Sequence, residues 1–429
     1  MARILALTDS AEDVRHFCRG DELFLFRIGL LPPREHSPER FEEIYRTLKA
    51  SCDLSTIDVI VAEYVEALPL LYLMRRDGYL CPALMIPHTN PYPLHILFYF
   101  LLLAEHPHPA DLVVCGSRNA QRAYEHLTGI RAGDICTFGI KDLYRRKDRA
   151  ESRRRLGLPP DHTILLYTGR FMNDKGLEPL LAGYERLRDE RPRTLLAMSV
   201  THIDPPYYNR LAARLRDVVL FHRLEKERTV DLYNAADLFV SGATSIFETY
   251  GKSPLEALAC GIPVVVPRWD GFPYFIGEEQ GGLVDVEYLS RPQANPYEFA
   301  RMDDEHFAQV CRKVLDRGQP PPDGVPEWAT YERSTRVLTG VIERMAAAGR
   351  TRTPPVASSP LATGRYPAPV RAVLAHHGLR ETEDLFAKAG ALGLLNGTLH
   401  PDEALLRDLH HEVFKTMDAE TADVRGPRT

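Results

Sequence analysis

With 429 residues, 44% hydrophobic and 26% charged, the chain has the composition of a globular protein with room for about two to three domains. A formal net charge of -6 and the lack of any long Lys/Arg block argue against a nucleic-acid partner; short clusters such as Arg153-Arg154-Arg155 have the size of solvated helix faces. Seven cysteines, an odd count with no C-x-x-C pair, fit a reducing cytoplasm and argue against a disulfide framework or a zinc site.

In chain order, Ile4-Leu-Ala-Leu7 is too short for the apolar core of a signal peptide, so the chain is expected to start folded. Candidate strands follow at Arg3–Thr8, Glu22–Ile28, Asp58–Ala62, Pro82–Ile86, Asp111–Cys115 and Asp134–Phe138, with helices between them, as at Pro38–Ala50 and Ser117–Leu127. The apolar run Ile96–Ala104 falls short of the roughly 18 to 20 residues that span a bilayer and reads as a core or interfacial helix. Ile86-Pro-His88-Thr-Asn90 leaves a predicted strand, which places His88 at its carboxyl end. An Arg-rich passage ending in Pro159-Pro160 then reads as a linker. Beyond it come strands at Ile164–Thr168, Thr194–Ser199, Val218–Phe221, Asp237–Ser241 and Val264–Pro267. Alternation of strand and helix through both halves predicts two parallel sheets wrapped by helices, two Rossmann-like doubly wound α/β domains.

Two stretches of the second half carry chemistry. The strand Thr163–Thr168 runs into Gly169-Arg170-Phe-Met-Asn-Asp-Lys175-Gly176 and a helix over Leu177–Arg188, the layout of a phosphate site. Further on, Glu248-Thr-Tyr250-Gly251-Lys252-Ser253-Pro-Leu-Glu256 sets two carboxylates either side of a glycine loop that opens a helix. Ser253 reads there as an N-cap, Pro254 as the first helical residue and Glu256 as the third position of a capping box, so free backbone N–H groups would face a diphosphate. Gly261-Ile-Pro ends that helix, and Val264–Val266 reads as a buried parallel strand.

A glutamate, seven residues and a second glutamate ahead of a short helix and an apolar strand resemble the retaining, nucleotide-sugar-dependent glycosyltransferases of family four, which have the GT-B fold. The resemblance implies two domains facing a cleft, the donor mainly on the second and the acceptor mainly on the first. It assigns the ribose hydroxyls to Glu256 and the donor-sugar hydroxyls to Glu248. Arg170 and Lys175 would neutralise the diphosphate leaving group, with Gly169, Tyr250, Gly251, Lys252 and Ser253 completing the donor site. His88 would approach the donor sugar from the first domain. Retention of anomeric configuration follows from the resemblance alone; with Arg170 and Lys175 at the phosphate site and no Asp-x-Asp motif in the chain, independence of metal is expected, and no cofactor besides the donor substrate is expected. The chain departs from the family where a glycine pair is usual after the first strand, since Leu7 is followed by Thr8-Asp9-Ser10, and where Tyr274 stands at a frequent glutamate position. Its first domain is also short.

The domains implied are 1–145 on the acceptor side, 146–348 for the nucleotide sugar with a terminal helix at Tyr331–Ala348 that crosses back, a Pro-rich tether over 349–369 and a helical extension over 370–429. Amphipathic helices are predicted in that extension at Val370–Leu395 and Pro401–Met417. Such a tail fits self-association, carrier docking or packing on its own enzyme. The expected activity is transfer of a hexosyl-type sugar from a nucleoside diphosphate donor to a hydroxyl-bearing small molecule, glycan or lipid-linked acceptor, in the cytoplasm or peripheral to a membrane. The alternatives are a nucleotide-sugar epimerase or phosphorylase of the same fold, or an inactive partner subunit.

Overall fold

The computed structural model describes residues 1–349 except 19, 29–34, 93, 104–105, 137, 216, 290–299 and 323, and beyond 349 only Ala375. The predicted tether and the two tail helices therefore lie outside the described residues. The described chain divides into two compact units, the first from Met1 to Phe138 with the segment from Ser334 onward, the second from Gly139 to Arg333.

In the first unit, β1 (Arg3–Leu7), α1 (Ala11–Phe17), β2 (Glu22–Phe26), α2 (Pro38–Ser51), β3 (Val59–Glu63), α3 (Ala67–Arg76), β4 (Ala83–Ile86), α4 (Leu94–Leu103), β5 (Leu112–Cys115), α5 (Arg118–Thr128) and β6 (Ala132–Ile135) alternate as predicted. The sheet is parallel in the order β2-β1-β3-β4-β5-β6. Its four central strands, β1, β3, β4 and β5, are buried almost throughout, which is why they read as apolar runs, whereas the edge strands β2 and β6 are only partly buried. Local signals start the helices: Ser37 caps α2 by accepting from the Arg40 N–H, and Ser117 caps α5 through Ala120. The apolar run becomes α4, with Ile96 to Leu103 at most 2% exposed, so it is a core helix. No described helix is long and apolar enough to cross a membrane.

The second unit runs α6 (Arg149–Leu156), β7 (Thr163–Phe171), α7 (Leu177–Glu190), β8 (Thr194–Ile203), α8 (Pro205–Leu211), β9 (Val218–His222), α9 (Lys226–Ala235), β10 (Leu238–Val240), α10 (Lys252–Ala259), β11 (Val264–Pro267), β12 (Gly281–Val284), the antiparallel pair β13 (Val286–Tyr288) and β14 (Ala300–Met302), and α11 (Asp304–Arg317). Its parallel sheet has the order β12-β11-β10-β7-β8-β9. Chain order therefore reverses between the neighbours β7 and β10, a switch point outside whose carboxyl ends ligands bind in open α/β sheets. Leu165, Tyr167 and Phe171 on β7 pack with Leu180 and Tyr184 of α7 and Phe307 and Cys311 of α11 in the core on one face.

The last described helix, α12 (Tyr331–Ala348), has the bounds expected from its apolar spacing. From Ser334 on it belongs to the first unit, where Leu338, Val341, Ile342 and Met345 join Ile4, Val59, Leu84 and Val114 in one core.

Candidate active site

Both chemistry-bearing stretches meet at the switch point of the second unit, one after β7 and the other after β10. β7 runs further than expected, through Gly169 and Arg170 to Phe171, with an irregular register against β8 between Gly169 and Phe171. Gly169 is thus a strand residue and not the expected turn, and Tyr167 folds over it, its hydroxyl donating to the Arg170 carbonyl at 2.7 Å. The turn itself is the short 3-10 segment Asn173–Lys175 followed by Gly176 at φ 59°. A Cβ on Gly176 would lie 1.9 Å from the Gly242 carbonyl oxygen, and one on Gly242 would lie 2.2 Å from that of Gly176. Two glycines are needed back to back for the loops after β7 and β10 to touch through their main chains.

Lys175 reaches across this junction, its Nζ donating to Glu248 Oε2 at 3.1 Å, with Asp174 at 3.8 Å. Arg170 stands beside them and pairs with Asp174 at 2.7 Å. Burial pushes the Lys175 ammonium down, but Glu248 and Asp174 outweigh it and its pKa ends up raised. Burial likewise pushes Glu248 up, and the Lys175 charge and hydrogen bond, with the Gly251 N–H and Arg170, bring it below the usual carboxylate range. Both groups are held charged. Asp174, inside the quoted motif, escaped the sequence reading; its Oδ1 is buried without a hydrogen-bond partner.

The expected capping box does not form. Helix α10 begins two residues earlier, after Gly251 at φ 72° and ψ 47°, so Ser253 is its second residue and not its N-cap, and Pro254 lies at its third position. Glycine is required at 251 by its left-handed backbone and by the close approach of Phe272. Neither α7 nor α10 has a side-chain cap at its amino end, which leaves backbone N–H groups of the first turns for an anion. Glu256, one turn further in and 8% exposed, does not cap its own helix. Instead its Oε2 accepts from the Tyr233 hydroxyl at 2.8 Å, and the Tyr144 hydroxyl bonds to it as well. Thr168 lies 2.7 Å from the same Tyr233 oxygen. Burial raises the pKa of Glu256 against these hydrogen bonds and the Lys252 charge. Lys252 is exposed, whereas the Tyr250 ring packs on Trp328. Nothing in the local sequence marked Tyr144 or Tyr233, which come from the entry segment and α9.

His88 belongs to the first unit, beyond β4, with Nε2 3.1 Å from Glu63 Oε1 and its ring 5.1 Å from that of Tyr64. No group of three or more His, Cys, Asp or Glu suited to a metal is formed among the described residues.

With this geometry in view, residues 148–294 match the family model of glycosyl transferases group 1. The fold is that of the GT-B glycosyltransferases. Among curated proteins, the chain is 31% identical over 190 residues to D-inositol 3-phosphate glycosyltransferase 2 of Catenulispora acidiphila, covering 41% of this chain and 44% of that protein. It is 33% identical over 165 residues to D-inositol 3-phosphate glycosyltransferase of Streptomyces bingchenggensis, covering 36% of this chain and 34% of that protein. The matches thus span less than half the length of these relatives. Among solved structures, sucrose-phosphate synthase from Thermosynechococcus elongatus superposes with a TM-score of 0.57 at 19% identity, over 81% of this chain and 97% of that one. Anabaena HepE in complex with UDP and glucose superposes at 0.57 and 15% identity, over 81% and 99%. The GT-B glycosyltransferase resemblance covers the donor-side motifs, Gly169 to Gly176 and Glu248 to Glu256.

Proposed function

We propose that the chain is a glycosyltransferase that moves a sugar from a nucleoside diphosphate sugar to a hydroxyl acceptor with retention of anomeric configuration. The observation that carries this reading is the charged Lys175–Glu248 pair, flanked by Arg170, at a switch point where two helices present uncapped amino ends. When the bond from sugar to phosphate breaks, negative charge grows on the leaving oxygen, and fixed cations and N–H groups stabilise it more in the transition state than in the ground state. Lys175 and Arg170 supply that charge, so no metal is required. Glu248 orients Lys175 and takes donor-sugar hydroxyls, while Glu256, steadied by its tyrosines, takes the ribose. The departing phosphate oxygen helps to deprotonate the incoming hydroxyl on the same face, and no cofactor takes part. Within the first unit, His88 is the residue proposed to meet a sugar hydroxyl.

UDP sugars are the first donors to try, because structural relatives are complexes with UDP and UDP-glucose. The acceptor is a hydroxyl compound, and a cytoplasmic location fits the free thiols. The test is a thermal-shift screen against UDP, GDP, ADP and dTDP sugars, followed by turnover with and without EDTA. One donor should stabilise the protein and support transfer that survives chelation. Stabilisation by none of them would overturn the reading, and activity restored only by manganese or magnesium would overturn its metal-free form.

A further inference from the structure

Glu63 closes β3 and is fully buried, yet among the described residues it is not held by a lysine or arginine. Its Oε2 accepts from the Thr8 hydroxyl and, at 3.3 Å, from the Ser10 N–H, and Thr8 in turn accepts from Ser10 at 2.8 Å. Its Oε1 meets His88 Nε2 at 3.1 Å. Three strand ends therefore converge on one carboxylate: β1 through Thr8 and Ser10, β3 through Glu63, and β4 through His88. Thr8-Asp9-Ser10 is also where the chain departs from the glycine pair usual in the family, so the hydroxyl that anchors Glu63 stands at that departure.

The backbone around this carboxylate is constrained to suit. Tyr64 at φ 64° and His88 at φ 56° both adopt the left-handed region that non-glycine residues avoid. Their rings pack together, and Phe138 meets the His88 ring edge to face at 5.3 Å. Strain of this kind persists where surrounding contacts over-determine it, and it concentrates at sites. The His88 side chain keeps 27% of its surface exposed, so its ring is clamped on one edge and open on another.

We infer that Glu63 is a positioning residue that fixes the tautomer of His88. A carboxylate only accepts hydrogen bonds, so in the neutral imidazole the ring hydrogen sits on Nε2 and Nδ1 keeps its lone pair. His88 then offers its open edge as an acceptor for a hydroxyl group. The inference rests on the glycosyltransferase reading for what that hydroxyl belongs to, a sugar of donor or acceptor, but not for the tautomer itself.

Glu63→Gln separates geometry from proton placement. The glutamine carbonyl can still accept from Thr8 and Ser10, while its amide N–H faces Nε2 and drives the ring hydrogen to Nδ1. Nitrogen NMR of histidine-labelled, ligand-free protein, with His88→Ala to assign the signal, reads the position directly. The wild type should carry hydrogen on Nε2 and Glu63→Gln on Nδ1. With a donor in hand, Glu63→Gln should lower kcat at least about tenfold while donor affinity stays within about twofold. Adding Glu63→Gln to His88→Ala should cost nothing more, because one residue acts through the other. A wild-type signal on Nδ1 overturns the inference even if the variant fails to fold. An unchanged tautomer in a folded Glu63→Gln, or additive losses in the double variant, overturns it too. Failure of every donor would sink the glycosyltransferase reading and leave the tautomer measurement standing as the judge of Glu63.

Discussion

Lys175 answers two demands, since the cation that would stabilise a leaving phosphate also pairs with and neutralises Glu248. Lys175→Met removes both functions. It should lower turnover at least about tenfold, as for loss of one charge stabiliser, and lower stability by about 3 kcal/mol because Glu248 is left uncompensated. Adding Glu248→Gln should restore the stability, read by urea denaturation, without restoring the activity. The second residue-scale prediction concerns His95, in the first turn of α4, whose pKa burial and then the neighbouring His36 push down to about 3. A histidine buried neutral binds its proton in the unfolded chain first, so its contribution is complete above pH 6.5 and is lost as pH falls from there toward 3. Between pH 6.5 and pH 5 that loss is about 2 kcal/mol. His95→Phe should flatten the acid limb of the stability curve in that interval, and an unchanged limb would show that His95 is not the group responsible. Glu248, Glu256, Arg170 and Lys175 could be picked out as residues, but the tyrosines that hold Glu256 could not, because Tyr233 and Tyr144 reach it from 23 and 112 positions away and leave no local spacing.

Among elements, the loops after β7 and β10 depend on the paired glycines more than on any side chain. Gly176→Ala would place a methyl against the Gly242 carbonyl and strain a φ of 59°. It should destabilise the second unit by more than about 2 kcal/mol, and Gly242→Ala should do nearly as much. Chemical denaturation followed by tryptophan fluorescence can read this, since Trp269 and Trp328 both lie in that unit. A loss below about 0.5 kcal/mol, ordinary for a surface substitution, would mean that the loops can separate freely. Strand-forming runs placed most elements within a residue or two. The failures have physical causes: β7 outran its prediction because a glycine tolerates the irregular register at 169, and β12 was missed because Gly281-Gly282 lacks the apolar pattern of a buried strand. Helix α10 started early because a left-handed glycine can open a helix as well as a serine can.

For the molecule as a whole, the first unit is discontinuous in sequence and is completed by α12. Leu338, Val341, Ile342 and Met345 are each at most 4% exposed, and burying such side chains contributes about 1.5–3 kcal/mol apiece. That sum rivals the net stability of a domain. A chain ended at Arg333 should therefore lose protease resistance in the first unit, whereas one ended at Gly349 should keep it and should bind donor like the full chain, because every proposed donor contact in the second unit lies between Gly169 and Glu256. Limited proteolysis and donor titration on both truncations check this. Loss of donor binding by a folded 1–349 chain would mean that the tail takes part in the site.

Hydrophobic patterning alone determined that this is an α/β protein with two parallel sheets, because strands buried on both faces must be written as apolar runs whatever surrounds them. The amino-acid sequence likewise marked both loops of the donor-side site through Gly169–Gly176 and Glu248–Glu256, where charge and glycine sit close together along the chain. Only the tertiary structure decided how those loops are used. It set Lys175 on Glu248 and turned Glu256 from a helix cap into the acceptor of two tyrosine hydroxyls. It also brought Glu63 beneath His88 and gave α12 to the first unit. Each of these is a contact between residues far apart in sequence, chosen by strand order and burial, and periodicity holds no record of such contacts.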